Sequence, residues 1–333
     1  MVEIDGYRVA YERVGAGPAL VLLHGYVGDG ASTWGPQLGA LSDDFTVIAW
    51  DAPGAGRSSD PPDRIGMAGY ANCLARFIER LGLGKPHVVG LSFGGALAID
   101  FCRRYPVVPS TLTLVGAYAG WAGSLPHDTM ERRLRQALEL SEVSPEAFVD
   151  ALLPTMFSHG TPAEAVEAFR SAMLAFHPAG FRAMARASAE DLRPALPRIE
   201  VPTLLVYGGD DVRAPMAVAD HLHEAIRGST LVRLHGAGHV CNIEAPDAFN
   251  AAIRDFLRDR RAEGLFSRSL ASVRTRSKSN RAPSGPSVKQ SRHDEFFGAL
   301  RVELEPRLPE ARSSRPAVVR MPLESSGYLR AVG

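Results

Sequence analysis

The chain has 333 residues, 45% hydrophobic and 22% charged, which is enough for one large α/β domain with a substantial core or for two smaller domains. No run of 18 apolar residues occurs, and Met1-Val2-Glu3-Ile4-Asp5 lacks the basic and apolar regions of a signal peptide, so we expect no membrane partner and a cytoplasmic location. The 37 basic side chains balance 37 acidic ones. A nucleic-acid-binding protein usually carries a basic excess, so we expect no nucleic-acid partner for the chain as a whole.

Strands and helices alternate through the first 116 residues. The Asp5-Gly6 pair predicts a hairpin turn between two short strands within residues 2–14. Continuous apolar runs predict buried strands, and apolar residues at helical spacing predict helices between them. The predicted strands are 19–23, 45–50, 87–91 and 111–115, and the predicted helices are 34–41, 67–82 and 93–105. This alternation is typical of a mostly parallel sheet with helices on both faces.

The alternation stops at residue 117. Residues 117–200 contain several helical stretches and no clear buried strand, which predicts an inserted helical segment. The predicted helices of this segment are 128–141, 145–157, 162–176 and 179–192. Strands return at 203–207 and 230–234, followed by helices at 216–227 and 246–258. We therefore predict an α/β core formed by residues 1–116 and 201–262.

Residues 263–333 differ from the rest of the chain in composition and charge. They are rich in Ser, Arg and Pro, and residues 265–333 hold 13 basic side chains against 6 acidic ones. Such a composition buries too little apolar surface to offset the entropy of ordering the chain, so we predict a disordered basic extension. A specific role, such as binding an acidic surface or a nucleic acid, is the alternative.

Cysteine usage and the absence of familiar cofactor motifs narrow the chemistry. Cys73, Cys102 and Cys241 are the only cysteines, and they lack metal-ligand spacing, as suits a reducing compartment without a disulfide framework. No phosphate-binding loop and no dinucleotide fingerprint occurs. We expect no cofactor and no metal, and no motif bears on the oligomeric state.

One serine stands at the junction of a predicted strand and a predicted helix, in Gly90-Leu91-Ser92-Phe93-Gly94-Gly95. Gly-x-Ser-x-Gly in this context is typical of a nucleophile elbow, a sharp turn that requires small residues on both sides of the serine. The N-terminus of the following helix favours the negative charge that develops during attack on a carbonyl. A glycine-rich packing turn is the alternative, but the strand–turn–helix context favours catalysis.

A serine hydroxyl is a weak nucleophile and needs a base, which a third group must orient. His239 follows the predicted strand 230–234 in Gly236-Ala237-Gly238-His239-Val240. Folds with an open parallel sheet build their sites from the loops at the carboxyl ends of the strands. Asp210 and Asp211 both follow the predicted strand 203–207, and either could supply the acid.

The same chemistry requires two backbone N–H groups that bind the developing oxyanion. We expect one from Phe93, the residue after the serine. The second should come from the loop after strand 19–23, where Tyr26 is the candidate. His24 in the same loop is interpreted as structural, and Asp51, at the end of strand 45–50, as a residue that organises loops.

The order Ser92, Asp211, His239 resembles that of the α/β-hydrolase fold superfamily, and the resemblance covers about residues 1–260. It implies cofactor-free Ser-His-Asp hydrolysis, with residues 117–200 as a helical cap. The spacing from Gly208 favours Asp211 over Asp210. Besides the elbow, the motifs that agree are His24-Gly25-Tyr26, Asp51-Ala52-Pro53-Gly54-Ala55-Gly56-Arg57-Ser58, Gly208-x-x-Asp211, and Gly236-x-Gly238-His239 with Glu244-x-Pro246.

Within the superfamily, Ser92 argues against haloalkane dehalogenases and epoxide hydrolases, which carry Asp at the elbow. The sequence looks more like the group of 3-oxoadipate enol-lactonases, small carboxylesterases and cofactor-free haloperoxidases, notably in residues 114–121. The resemblance implies a serine hydrolase that cleaves a small, largely apolar carboxylic ester or lactone, with water as second substrate. The alternatives are a hydrolase of C–C bonds in meta-cleavage diketones and a non-catalytic ligand-binding protein on the same scaffold.

The implied cap would determine specificity through its apolar and aromatic side chains. These side chains either line the substrate pocket or pack the cap helices against one another, and both interpretations stay open. The candidates for the pocket are Trp121, Met156, Phe157, His177 and Phe181, with Phe176 and Met184 beside them.

Overall fold

The computed structural model describes residues 1–258. The predicted basic extension at 263–333 and the last residues of the predicted core lie outside this range. Within it, two strands form a separate antiparallel hairpin and seven form one sheet in the order β3-β5-β4-β6-β7-β8-β9. The strands are β1 (Val2–Ile4), β2 (Tyr7–Val9), β3 (Tyr11–Val14), β4 (Ala19–Leu23), β5 (Thr46–Trp50), β6 (His87–Leu91), β7 (Thr111–Val115), β8 (Thr203–Gly208) and β9 (Thr230–Leu234).

The predicted hairpin of two strands around Asp5-Gly6 is confirmed, because β1 and β2 pair antiparallel on either side of it. The sequence did not predict the third strand of this segment, β3. Asp5 and Gly6 have φ values of 47° and 86°, the positive pair that a tight hairpin turn between β1 and β2 requires. The third strand, β3, leaves the hairpin and pairs antiparallel with β5 at the edge of the large sheet. Its half-exposed and exposed residues carry little of the apolar signal that marks a buried strand.

The other six strands of the large sheet run parallel to one another. All residues of β5, β7 and β8 are buried, as expected for strands covered by helices on both faces. Between these strands lie α1 (Gly30–Leu41), α2 (Gly66–Arg80), α3 (Phe93–Arg104) and α9 (Met216–Ala225). The short helix α10 (Cys241–Glu244) follows β9, and residues 246–258 are helical.

Two groups of helices cover the sheet. In one, α2 packs against α3. In the other, α1 packs against α10, and the ring of Trp34 meets that of Phe249 in the helical residues 246–258, with centroids 6.1 Å apart. The predicted fold class, a mostly parallel sheet with helices on both faces, is confirmed. No helix among the described residues is long and apolar enough to cross a bilayer.

The strand order positions the site. The chain runs from β4 to β5 on one side and then to β6 on the other side of β4. Neighbouring loops therefore diverge at the carboxyl ends of β4 and β6, where Leu23 pairs with Gly90. Such a switch point opens a crevice that the sheet's own loops do not cover. The loop that begins at His24 and the turn that contains Ser92 both start there.

Residues between β7 and β8 form helices and no strand. They are α4 (Trp121–Ser124), α5 (His127–Leu140), α6 (Pro145–Leu152), α7 (Ala163–Leu174) and α8 (Pro178–Ser188), with short 3-10 helices at Leu153–Thr155 and Arg193–Arg198. Helix α8 packs against α2 of the core. In the first turn of α8, a Cβ atom on Gly180 would overlap the backbone of Gly54, in the loop after β5.

We expect Gly180→Ala to lower the stability of the protein, although alanine is the better helix former. Helix propensity alone would raise the free energy of unfolding by about 1 kcal/mol, but the overlap with the Gly54 backbone should cost about 1–3 kcal/mol. Gly39→Ala, in α1 and with no atom within 4 Å of its added Cβ, should stabilise. Urea unfolding of both variants gives the test, and a stabilised Gly180→Ala would contradict the described packing.

Candidate active site

Ser92 sits in a strained turn between β6 and α3. Its φ of 53° and ψ of −110° lie in a region that residues other than glycine rarely occupy. Among residues 1–258, only Asp5 shares a positive φ without being glycine. A Cβ atom on Gly90 would overlap the carbonyl of Gly94, so the turn closes this tightly only with glycine there. Strain of this kind is concentrated at functional sites.

Two segments with backbone N–H groups flank the serine: the first turn of α3 and the loop after β4. Phe93 is the first residue of α3, and N–H groups in the first turn of a helix have no carbonyl partner within that helix. On the other side, a Cβ atom on Gly25 would lie 3.7 Å from the Ser92 Cβ atom. The loop that carries Tyr26 therefore runs directly against the serine.

His24 fixes the peptide between Gly25 and Tyr26. The backbone N–H of Ala52 donates to its Nε2 atom over 2.9 Å, so Nδ1 carries the proton and donates to the Gly25 carbonyl, 2.6 Å away. Burial lowers the pKa of His24 and outweighs the nearby Asp51 carboxylate, so the ring stays neutral. With the Gly25 oxygen held by His24, the Tyr26 N–H of the same planar trans peptide points the opposite way.

His239 and Asp211 form a buried hydrogen-bonded pair. His239 Nδ1 lies 2.8 Å from Asp211 Oδ2. The other carboxylate oxygen, Oδ1, accepts from the backbone N–H groups of Arg213 and Ala214, at 2.8 and 2.9 Å. Burial by itself would raise the pKa of Asp211, but His239 and these donors outweigh it, so the pKa lies below the ordinary value. Since an ionised carboxylate can only accept, Nδ1 carries the proton and Nε2 is left as an acceptor.

The two adjacent aspartates have different environments. Asp211 is 5% exposed and bonded to His239. Asp210 is exposed, and its backbone N–H donates to the carbonyl of Ala237 over 2.9 Å. This bond joins the turn after β8 to the loop of His239. The geometry thus pairs Asp211 with the histidine, as the spacing from Gly208 favours.

Gly116 lies beside the His239–Asp211 pair and directly follows the residue that accepts a hydrogen bond from Ser92. The backbone N–H of Ser92 donates to the carbonyl of Val115 over 2.8 Å. A Cβ atom on the next residue, Gly116, would lie 3.2 Å from His239 Nδ1 and 3.3 Å from Asp211 Oδ2. In residues 1–258 no hydrogen bond joins the Ser92 hydroxyl to the His239 ring, and contacts to a general base are often long until substrate binds.

Glu244 ties the loop of His239 to the helical segment. Its Oε1 atom accepts from the Gly238 N–H over 2.8 Å. Its Oε2 atom accepts from the Ser158 N–H and the Thr161 hydroxyl, both over 2.8 Å. One carboxylate therefore joins the loop after β9 to residues between α6 and α7. The carbonyl of Met156 adds a second link, because it accepts from the His239 N–H over 3.0 Å.

Of the residues expected to line a pocket, two contact Tyr26. The Phe181 ring stacks on it with centroids 5.0 Å apart, and Trp121 meets it edge-on at 5.9 Å. His177 and Phe181 line a small cavity of about 30 Å³ beside Tyr26, together with Phe176 and Met184.

Met156 and Phe157 lie elsewhere in the site. Met156 contacts the loop of His239 through its carbonyl. Phe157 packs edge-on against Phe169, with centroids 5.6 Å apart. The structure thus brings Trp121, His177 and Phe181 around Tyr26, whereas Met156 holds the loop of His239 through its carbonyl and Phe157 packs on Phe169.

Sequence reasoning assigned no role to Glu244 or Gly116 and classed His24 as structural. The Glu244-x-Pro246 motif was the available signal for Glu244. Its role could not be predicted, because Ser158 and Thr161 lie more than eighty residues away along the chain and Gly238 contributes only a backbone N–H. Across residues 1–258 no group of three or more His, Cys, Asp or Glu side chains could hold a metal ion. Cys73, Cys102 and Cys241 are buried free thiols.

The low pKa of Asp211 predicts a defined acid sensitivity. Because the folded protein favours the carboxylate, the stability that Asp211 contributes is present above its ordinary pKa of 3.8 and is lost as pH falls through the lower folded value. Asp211→Asn should therefore show a shallower fall in unfolding free energy between about pH 5 and pH 2. The matched variant Asp210→Asn should follow the wild-type curve. Equal slopes for Asp211→Asn and wild type in urea unfolding would contradict the assignment.

Glu244→Gln should destabilise the link between the loop of His239 and the helical segment. The amide removes the charge that strengthens three hydrogen bonds and turns one acceptor into a donor, at a cost of about 1–3 kcal/mol. Glu224→Gln, at an exposed position of α9, serves as the control and should change little. Hydrogen exchange at Gly238 and Ser158 measures the effect, and unchanged protection there would argue against the link.

The sequence profile of the α/β hydrolase fold matches residues 18–246. A protein of Pseudomonas savastanoi pv. phaseolicola with the provisional name carbamate hydrolase RutD is 31% identical over 248 residues, 72% of this chain and 93% of its own length. A thermophilic esterase structure from Thermogutta terrifontis (31% identity, TM-score 0.70) covers 76% of this chain and 93% of that chain. An enol-lactonase structure from Burkholderia xenovorans LB400 (27% identity, TM-score 0.70) covers 77% and 98%. The resemblance seen in the sequence is confirmed: the chain belongs to the α/β hydrolase fold family.

Proposed function

We propose that this protein is a serine hydrolase that cleaves a small, largely apolar carboxylic ester or lactone through an acyl-enzyme, with water as second substrate. Its family and the names of its relatives make it a hydrolase acting on ester-like bonds. One observation carries the mechanism: the buried His239–Asp211 pair lies against Gly116, next to the strained turn of Ser92.

In the first step, the Ser92 oxygen attacks the substrate carbonyl while His239 Nε2 accepts the hydroxyl proton. Nε2 can do so because Asp211 holds the other ring nitrogen, Nδ1, in its protonated form. The carboxylate also stabilises the imidazolium that results. Exposures of 6% for Ser92, 5% for Asp211 and 3% for His239 keep these charges in a low-dielectric environment, where their interactions are stronger than in water.

The carbonyl oxygen becomes negative in the tetrahedral intermediate, and two N–H groups are available to bind it. The Phe93 N–H lies in the first turn of α3, where the helix dipole also favours an anion. The Tyr26 N–H is turned away from His24 because that ring holds the carbonyl oxygen of the same peptide. We assign both as oxyanion donors, with His24 as the residue that positions Tyr26.

Collapse of the intermediate expels the alcohol, which takes its proton from His239, and leaves an ester on Ser92. Water then attacks this acyl-enzyme, and His239 again accepts a proton. A second tetrahedral intermediate breaks down to the carboxylic acid and free Ser92. The cycle needs no cofactor and no metal.

The helical residues 117–200 act in this proposal as a cap that determines which substrates reach Ser92. Trp121 and Phe181 contact Tyr26, and His177 borders the cavity beside it. We propose that these three side chains form one wall of the substrate pocket, in which Trp121 and Phe181 are the apolar members. Met156 and Phe157 lie outside this wall in the proposal: Met156 contacts the loop of His239, and Phe157 contacts Phe169.

Ser92→Ala should abolish hydrolysis of p-nitrophenyl butyrate. Loss of the nucleophile should lower kcat by roughly a thousandfold to a millionfold, with unfolding free energy close to that of wild type. The matched control is Ser110→Ala, whose hydroxyl donates to the Lys85 carbonyl at the opposite end of β7, and it should keep wild-type turnover.

Labelling with a fluorophosphonate gives an independent readout, because it forms a covalent bond only with an activated serine. We expect the label on the peptide that contains Ser92 in wild type and no label in Ser92→Ala. Turnover that survives in Ser92→Ala, or a folded wild type that neither turns over esters nor takes the label, would overturn the proposal. The second result would favour a ligand-binding protein on the same scaffold.

A further inference from the structure

A groove of about 570 Å³ is bordered by Tyr26. Helix α5 contributes Arg133 and Leu140 to one wall, and Thr155 and Arg213 contribute to the other. Arg133 and Leu140 are seven residues apart, so they lie on the same face of α5. This α5–α6 groove is far larger than the 30 Å³ cavity beside His177, and it can hold several carbon atoms of a ligand.

Two guanidinium groups line the groove without a carboxylate partner. Arg213 is half-buried and donates to the Thr155 hydroxyl over 2.8 Å and to the Tyr26 hydroxyl. Arg133, also half-buried, donates to the Tyr118 hydroxyl over 2.9 Å. Within residues 1–258 neither forms an ion pair with an acidic side chain.

Neutral oxygens and aromatic rings compensate these cations only in part. The Arg213 guanidinium lies 5.5 Å from the centroid of the Tyr26 ring, and that of Arg133 lies 5.7 Å from the Trp121 ring. Glu139 also borders the groove, but it is exposed and pairs with neither arginine. Each guanidinium has five N–H donors, so several remain for a ligand, and a carboxylate is their best geometric match.

Beside the polar Gln136, Glu139 and Thr155, most of the remaining lining of the groove is apolar. Val143 and Val212 border it and are 41% and 73% exposed, among the most exposed large hydrophobic side chains of residues 1–258. Leu140 and Leu152 lie further along it. A ligand that contacts both kinds of surface has an apolar chain and one anionic group.

The groove adjoins the candidate active site. The side chain of Tyr26 forms part of its wall, while the backbone of Tyr26 belongs to the loop against Ser92. The guanidinium of Arg213 points to the groove side, while its backbone N–H donates to Asp211 over 2.8 Å. Tyr26 and Arg213 therefore belong both to the groove and to the loops of the site, so a substrate at Ser92 whose chain runs past Tyr26 would meet both arginines.

We infer that the α5–α6 groove binds a free carboxylate of the substrate, so that the preferred substrates are esters or lactones carrying a second, unesterified acid group on an apolar chain. Arg133 and Arg213 bind that carboxylate, and neither takes part in bond making or breaking. The inference rests on the proposed function, because it assigns specificity to the same serine hydrolase.

The test compares substrates that differ only in a carboxylate. p-Nitrophenyl hydrogen adipate is matched with p-nitrophenyl hexanoate, and 3-carboxy-4-nitrophenyl hexanoate moves the charge to the leaving group. After subtraction of uncatalysed hydrolysis, we expect kcat/KM for at least one charged ester to exceed that of the neutral one by roughly tenfold to a hundredfold. Added salt should reduce this preference because it screens the arginines.

Variants show whether the groove is the cause. Arg133→Gln and Arg213→Gln should each lower the ratio of charged to neutral kcat/KM toward one, whereas Arg133→Lys, which keeps the charge, should retain much of it. The matched control is Arg132→Gln, at the neighbouring, exposed position of α5 outside the groove. It should keep the wild-type ratio, and a ratio that falls equally in Arg132→Gln would overturn the assignment to the groove.

The inference and the proposed function fail in different ways. If wild type hydrolyses the hexanoate ester but neither charged ester is preferred, the inference is wrong and the proposed function stands. If no ester is hydrolysed and Ser92 takes no fluorophosphonate, the proposed function is wrong. Calorimetric titration then tests whether the groove binds a carboxylate, with hexanol as the uncharged control for hexanoate. Hexanoate binding that weakens in Arg133→Gln supports carboxylate binding in the groove. No binding of hexanoate, or binding that is unchanged in Arg133→Gln, overturns it.

Discussion

The hydrogen bond between His239 Nδ1 and Asp211 Oδ2 is the interaction around which the site is organised. It is buried, so its carboxylate needs every remaining acceptor site satisfied. The turn after β8 meets this need with two backbone N–H groups. A Cβ atom on Gly116 would crowd the pair, because it would lie 3.2 Å from His239 Nδ1 and 3.3 Å from Asp211 Oδ2. The same bond determines which ring nitrogen is free to act as a base.

The helical residues between β7 and β8 are fastened to the core loops that carry the site. Glu244 and the Met156 carbonyl hold them to the loop of His239, and Phe181 stacks on Tyr26 beside Ser92. A displacement of these helices would therefore also disturb the base and the proposed oxyanion loop. In the proposed enzyme, substrate recognition and the reacting groups share one set of contacts.

Much of the fold follows from local sequence patterns. Strands β6 and β7 occupy the residues predicted for them, because strands covered on both faces are rich in apolar residues. Strand β9 also occupies its predicted residues, although most of them are half-buried or exposed. The elbow is equally local, since Gly90 and Gly94 meet within one turn. The edge strand β3 was not predicted, because its partly exposed residues do not form an apolar run. Its partner β5 lies more than thirty residues further along the chain, so no local pattern indicates the pairing.

The sequence by itself determined a mostly parallel sheet with helices on both faces, the position of the turn at Ser92 and a short set of candidates for the site, because each depends on residue types within a few positions of one another. The α/β hydrolase family followed from the resemblance of several motifs in the same order along the chain. The resemblance already favoured Asp211 over Asp210 through the spacing from Gly208. The tertiary structure supplies the physical reason, because the turn after β8 directs Asp211 to His239 and leaves Asp210 exposed. It also separated Phe181, stacked on Tyr26, from Phe157, packed on Phe169. The two arginines without carboxylate partners became visible only there, because pairing between side chains distant in sequence leaves no local pattern.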